Sequence, residues 1–191
     1  FIAGRIDRIE AKFENLMIRW VAFPLHPETP QEGRSLADLF AGKPVNIDDM
    51  LAQLRGVARA EGLPFGDRTM TYNSRLAQEL GKWAESQGRG QAYHWTAFKT
   101  YFAGGKNIAR SDVLLEIAET VGLDPRQAES VIEARTQREA VDRDWQRSME
   151  LGVRAVPTLQ MGGEMLVGAQ PYAAIEQLVQ RHFRGGLGTD I

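Results

Sequence analysis

The chain has 191 residues, 43% of them hydrophobic and 25% charged, with 23 basic against 25 acidic side chains and no cysteine. That length can bury one sizeable core, or one domain carrying a substantial insertion, and the near-neutral balance argues against nucleic acid or an anionic membrane as a bulk partner. Without cysteine these residues hold no disulfide framework, no thiolate nucleophile and no cysteine zinc site, and His26, His94 and His182 lie too far apart for a local metal signature.

Ile2, Ile6, Ile9 and Phe13 recur at helical spacing from the very start, with no Ser, Thr, Asp or Asn ahead of them to cap the first turn. The chain begins with Phe rather than Met, and the expectation is that further residues precede Phe1. Leu16 to Phe23 is a nearly continuous apolar run, which predicts a strand buried on both faces of a parallel sheet. Pro24, Pro27, Pro30 and Gly33 then make a stiff loop.

From about Ser35 to Leu151 no strand is expected, and apolar stripes at helical spacing follow one another. Ile47, Met50, Leu51, Leu54, Val57 and Ala58 form the first, entered through Asn46 with Asp48 and Asp49 in its opening turn. Leu76, Leu80, Trp83 and Ala84 form the second, with Asn73 and Ser74 as capping candidates. A third holds Trp95, Phe98, Tyr101 and Phe102 and closes at Gly104-Gly105. Ser111 to Val121 and Pro125 to Arg135 are separated by Gly122-Leu123-Asp124, a stop and a cap before an N1 proline. Val141, Trp145, Ser148 and Met149 share one side of a highly charged helix, whose run from Arg138 to Glu150 reads as a solvated face.

The period then changes to two. Thr158–Met161 and Glu164–Val167 flank Gly162-Gly163, a two-residue hairpin signal, and Pro171 to Phe183 predicts a closing helix with Ile175, Leu178 and Val179 inward. The glycine-rich tail after Phe183 lacks the Lys-Ser/Thr of a phosphate loop. Strand-type sequence thus sits at the two ends, with helices between. The predicted organisation is one α/β domain from residues 1–34 and 151–191, interrupted by a helical insertion over 35–150.

Val156-Pro157-Thr158, the Gly-Gly hairpin and the proline-started helix occur in the order of the C-terminal half of a thioredoxin fold. Trp20 to Pro30, Tyr72 to Ala77, Tyr101 to Ile108, Asp144-Trp145 and Val167 to Tyr172 extend the likeness along nearly the whole chain. On these motifs the chain resembles the DsbA-like family in its FrnE-like branch, related to 2-hydroxychromene-2-carboxylate isomerases and kappa-class glutathione transferases. The fold class implied is an α/β, thioredoxin-like fold with a large all-helical insertion.

The resemblance implies a thiol–disulfide oxidoreductase working through a Cys-x-x-Cys at the start of the first helix, where unpaired N–H groups and the helix dipole stabilise a thiolate. In family members an aromatic residue and Ile follow that motif, so Phe1-Ile2 imply that the motif and the first strand lie upstream of Phe1. A natural member that never had the motif, or its engineered removal, would equally leave the chain without cysteine. Val156, cis-Pro157 and Thr158 would hold an extended substrate segment, with Phe1, Phe23, Pro24 and Leu25 along its apolar side; ordinary packing is an equal reading for those four.

Gln170 is either a helix cap or part of a turn that binds the γ-glutamyl end of glutathione in relatives. Those relatives carry Gly-Gln-Asp where this chain has Gly168-Ala169-Gln170-Pro171. The implied partners are a protein or small-molecule disulfide or thiol, with no nucleic acid or membrane; a homodimer is compatible. No metal or other cofactor is expected, with glutathione a candidate co-substrate, and the expected location is cytoplasmic. The rival readings are a glutathione-dependent isomerase or transferase on the same fold and a redox-inactive binding module.

Residues 111–135 also have the outline of a helix-turn-helix, but Asp112, Glu116, Glu119, Asp124, Glu129 and Glu133 oppose only Arg126 and Arg135 there. A duplex would be repelled. No histidine is assigned a catalytic role: His26 is expected to be structural, His94 to pack or be solvated, and His182 to sit favourably at a helix C-terminus.

Overall fold

The computed structural model describes residues 2–183. Its elements in chain order are α1 (Ala3–Lys12), β1 (Arg34–Ser35), α2 (Leu36–Leu39), α3 (Ile47–Ala60), β2 (Met70–Thr71), α4 (Arg75–Ser86), α5 (Gly90–Phe98), a π-helical turn (Lys99–Ala103), α6 (Ser111–Thr120), α7 (Pro125–Ala134), α8 (Arg138–Glu150), β3 (Thr158–Met161), β4 (Glu164–Val167) and α9 (Tyr172–His182). They divide into two compact units: one takes the chain up to Val21 and from Arg147 onward, the other runs from Ala22 to Gln146.

In the first unit, β3 and β4 form an antiparallel hairpin in the register Thr158↔Val167, Leu159↔Leu166, Gln160↔Met165, Met161↔Glu164. Gly162 and Gly163 both have positive φ, the backbone a tight two-residue turn needs. Ile9 of α1 and Ile175 and Val179 of α9 make the buried centre, and Leu159, Met161 and Leu166 of the hairpin pack on it. Polar contacts lock the two helices together: Lys12 pairs with Glu176 at 2.5 Å, and the Arg8 guanidinium lies 4.1 Å from the centre of the Tyr172 ring.

The second unit is built on α4 to α7. Leu80, Ala84, Leu114, Ala118 and Ala128 are buried at its centre with Tyr93, whose hydroxyl donates to the Ala77 carbonyl at 3.0 Å. Burial pushes that phenol's pKa up. Asn46 and Asp124 cap α3 and α7 through their side chains, as their positions before the helices predict, and Pro125 opens α7.

Four expectations need correction. Leu16 to Phe23 is irregular and belongs to no ladder among the described residues, and Met17 is 92% exposed, so it is not a strand covered on both faces. A high β propensity supplies no hydrogen-bonding neighbour, and a strand exists only as a pair. Conversely, the helical region contains the short pair β1–β2, joining Arg34 to Thr71 and Ser35 to Met70. The third stripe is not one α-helix, since α5 passes at Phe98 into the π turn, where Tyr101 and Phe102 pack edge to face. Finally, α8 is not simply a solvated face: Val141, Asp144 and Ser148 are buried while Met149 is exposed.

Candidate functional site

The segment between α8 and β3 carries the predicted substrate-contacting residues. The Val156–Pro157 peptide bond is cis. The Pro157 carbonyl accepts from Gly168 N–H at 2.8 Å just past β4, and the Thr158 hydroxyl donates to the Ala155 carbonyl at 2.7 Å. Val156 between these anchors is 43% exposed, and neither its N–H nor its C=O has a hydrogen-bond partner among the described residues. It is a solvent-facing main-chain edge held in place on both sides, the form that accepts an added strand.

Gln170 lies in the same unit but does not cap α9. Its amide donates to the Val167 carbonyl at 2.7 Å, and Pro171 occupies the N-cap without a side-chain bond. Arg5 of α1 donates to the carbonyls of Ala169 and Gln170 at 2.8 and 2.6 Å, fixing that turn from the other side. The structure thus brings Val156, Pro157, Thr158 and Gln170 together through Gly168, which bonds to Pro157 and whose carbonyl accepts from Gln170 N–H at 2.8 Å. His182, at the end of α9, contacts Glu164 of β4 at 3.0 Å beside Arg181. Phe1 lies outside the described residues.

Phe23, Pro24 and Leu25 belong to the helical unit. Their backbone is clamped by two side chains to which the sequence alone gives no role. Asp144 of α8, 2% exposed, accepts from Ala22 N–H at 2.9 Å and pairs with Lys82 at 2.8 Å. Gln78 of α4 donates to the Phe23 carbonyl at 2.9 Å and accepts from the Trp145 indole at 2.8 Å. Leu25 projects half-exposed from this clamp, and His26 follows in a left-handed conformation. Asn73 donates to the carbonyls of Pro27 and Thr29, and its own oxygen accepts from Arg75 N–H at 2.9 Å, so it serves the loop and the helix start together.

Lys82 also reaches Glu85 at 3.0 Å, and Glu85 meets His94 at 3.0 Å. Burial alone would raise the Glu85 pKa, but hydrogen bonds from His94 and Lys82 outweigh it and hold the carboxyl below its usual range. A parallel network surrounds Glu79, 2% exposed in α4. Arg75 reaches it at 2.6 Å, and Arg135 grips both its oxygens at 2.6 and 2.7 Å. Again burial pushes upward, and the Arg135 and Arg75 hydrogen bonds overcome it to leave the pKa lowered. The i, i+4 spacing of Arg75 and Glu79 beside Leu76 and Leu80 was the readable signal. Arg135 enters only through the tertiary fold. Among the described residues no group of three His, Asp or Glu side chains converges as metal ligands.

A profile described as the DSBA-like thioredoxin domain matches residues 1–180. Over 108 residues the chain is 32% identical to the uncharacterized protein YwbO of Bacillus subtilis (strain 168), covering 54% of this chain and 52% of that one. The chain therefore spans about half the length of the curated relative it matches.

Among solved structures, a probable DsbA oxidoreductase from Streptomyces coelicolor superposes with a TM-score of 0.84 at 22% identity, over 98% of this chain and 86% of that one. A 2-hydroxychromene-2-carboxylate isomerase gives 0.72 at 21% identity over 94% and 88%. The cytosolic disulfide reductase DsbM from Pseudomonas aeruginosa, solved with GSH, gives 0.58 at 18% over 93% and 92%. At these identities the structural likeness establishes the fold alone.

Proposed function

The chain belongs to the DSBA-like thioredoxin domain family and has its DsbA-like thioredoxin fold, and from that premise we propose that the protein is a thiol–disulfide oxidoreductase. The proposed reaction runs through a Cys-x-x-Cys pair upstream of Phe1. One thiolate attacks a substrate disulfide, displaces one sulfur as a thiolate and forms a mixed disulfide. The second cysteine thiolate then attacks the enzyme sulfur of that bond and releases the other substrate thiolate, leaving the pair oxidised. Protons lost by the two cysteines are balanced by protons taken up by the two substrate sulfurs. The reverse sequence oxidises a dithiol.

The observation that carries this reading is the held but unpaired main chain of Val156 beside Pro157. Such an edge can align an extended substrate by backbone hydrogen bonds, largely independent of substrate sequence. In this reading Thr158 and Gln170 border that segment, while Phe1, Phe23, Pro24 and Leu25 are apolar substrate contacts. Protein or small-molecule disulfides and thiols are the proposed partners, glutathione is a candidate co-substrate, and no resident metal or cofactor is proposed. A cytoplasmic location is part of the proposal, in keeping with the word cytosolic in the name of DsbM. No helix among the described residues is long and apolar enough to cross a membrane.

The test starts from the gene sequence upstream of the Phe1 codon, followed by insulin reduction with the whole encoded protein. Cys-x-x-Cys and turnover above the thiol background are expected. Val156→Asp should then raise KM about tenfold, because a docked segment would strip water from a carboxylate on this edge whatever its own sequence, with an unchanged melting temperature. An intact motif with no turnover would overturn the oxidoreductase reading. A lone Ser or Cys there would favour the isomerase or transferase reading, for which the structural likeness to the isomerase speaks.

A further inference from the structure

Two adjoining hollows, of 380 and 330 Å³, open within the helical unit and share Asn73, Arg75 and Arg135 in their walls. We propose that this double hollow is a binding site for a small organic monocarboxylate with an apolar body, held by the guanidinium groups of Arg135 and Arg138.

The charge balance is the first reason. Arg75, Arg135 and Arg138 line the hollows, and the nearby carboxylates are Asp142 in the wall and Glu79 buried behind it. Three cations face two anions, leaving one positive charge without a carboxylate. Arg75 pairs with both carboxylates: it bonds Glu79 through Nε, reaches Asp142 and the Arg138 carbonyl at 2.8 Å through Nη2, and stacks on the Trp145 ring at 4.6 Å. Arg135 uses Nε and Nη2 on Glu79. Its Nη1 and the whole Arg138 head have no partner among the described residues.

The second reason is how Arg135 is placed. It caps α7 at φ 50° and ψ 38°, a left-handed position where glycine is ordinarily favoured. The backbone there presents a guanidinium to the hollow at a place where a side chain carries a conformational penalty. The third reason is the remaining wall. Leu76 and Ile132 line one hollow, and Pro27 and Trp145 the other, so apolar surface adjoins the cationic rim. Inorganic phosphate would leave that surface unused, and a second acidic group would exceed the one spare charge. A carboxylate matches the planar guanidinium fork.

The test uses benzoate as the probe, with acetate and inorganic phosphate beside it, titrated into the whole encoded protein by calorimetry. Benzoate is expected to bind with a Kd of about 1 mM, and acetate and phosphate about tenfold or more weaker. Of the tryptophan indole N–H resonances, the one assigned to Trp145 by W145F should shift with benzoate. Arg138→Gln removes a side chain that pairs with nothing described, so its melting temperature should hold while benzoate affinity falls about tenfold. Unchanged affinity in that variant, a benzoate shift confined to other indoles, phosphate binding as tightly as benzoate, or no benzoate binding would each overturn the proposal. None of these readouts depends on thiol chemistry, so failure here leaves the oxidoreductase reading intact.

Discussion

Glu79 is a buried carboxylate kept charged by two arginines, and removing its charge leaves those guanidinium groups short of an acceptor. Glu79→Gln is expected to cost about 2 kcal/mol at neutral pH, read from urea unfolding. Its pKa lies below the usual carboxyl range in the folded protein. The stabilisation from its ionised form is therefore complete above the unfolded-state value of about 4.3, and is lost as pH falls through the lowered folded value. The native chain should lose stability from about pH 4 downward more steeply than the Gln variant; parallel slopes would contradict this assignment. The spacing of Arg75 and Glu79 was visible in the sequence. That Arg135 completes the pair, and that Lys82 and Asp144 do the same nearby, required the helices to be packed.

The elements that the sequence defines best are those with local determinants. Asn46, Asp124 and Pro125 set helix starts by short-range geometry, and Gly162-Gly163 sets the hairpin turn. These two glycines are not equivalent. A Cβ at Gly162 would overlap the His182 ring, whereas one at Gly163 meets nothing within 4 Å. Gly163→Ala should therefore cost about 1 kcal/mol from backbone strain alone, and Gly162→Ala about 1 kcal/mol more, compared by thermal melts. Equal losses would show that the ring yields freely. Leu16 to Phe23 illustrates the opposite case. Its composition favours a strand, but a ladder takes two segments, and among the described residues this one belongs to no ladder.

At the scale of the molecule, the two units carry unequal cores. The helical unit buries a continuous cluster along α4 to α7, while the other centres on Ile9, Ile175 and Val179. Local opening is governed by the apolar contacts that must be broken, so amide hydrogen exchange should be slower in α4 and α6 than in α1 and α9. Exchange measured by mass spectrometry that is uniform across these helices would show one cooperative unit instead.

The sequence alone determined the helix boundaries with local caps, the hairpin, the family and its fold, because these rest on residues adjacent in the chain or on an ordered series of motifs. It also located the segment around Val156, Pro157 and Thr158. Only the tertiary structure decided which polar groups meet. Asp144 on Ala22, Gln78 on Phe23 and Arg135 on Glu79 join residues separated by 122, 55 and 56 positions. Such partners leave no periodic signal; they are selected by the packing of apolar faces, which brings a charge into a place where burial makes its partner necessary.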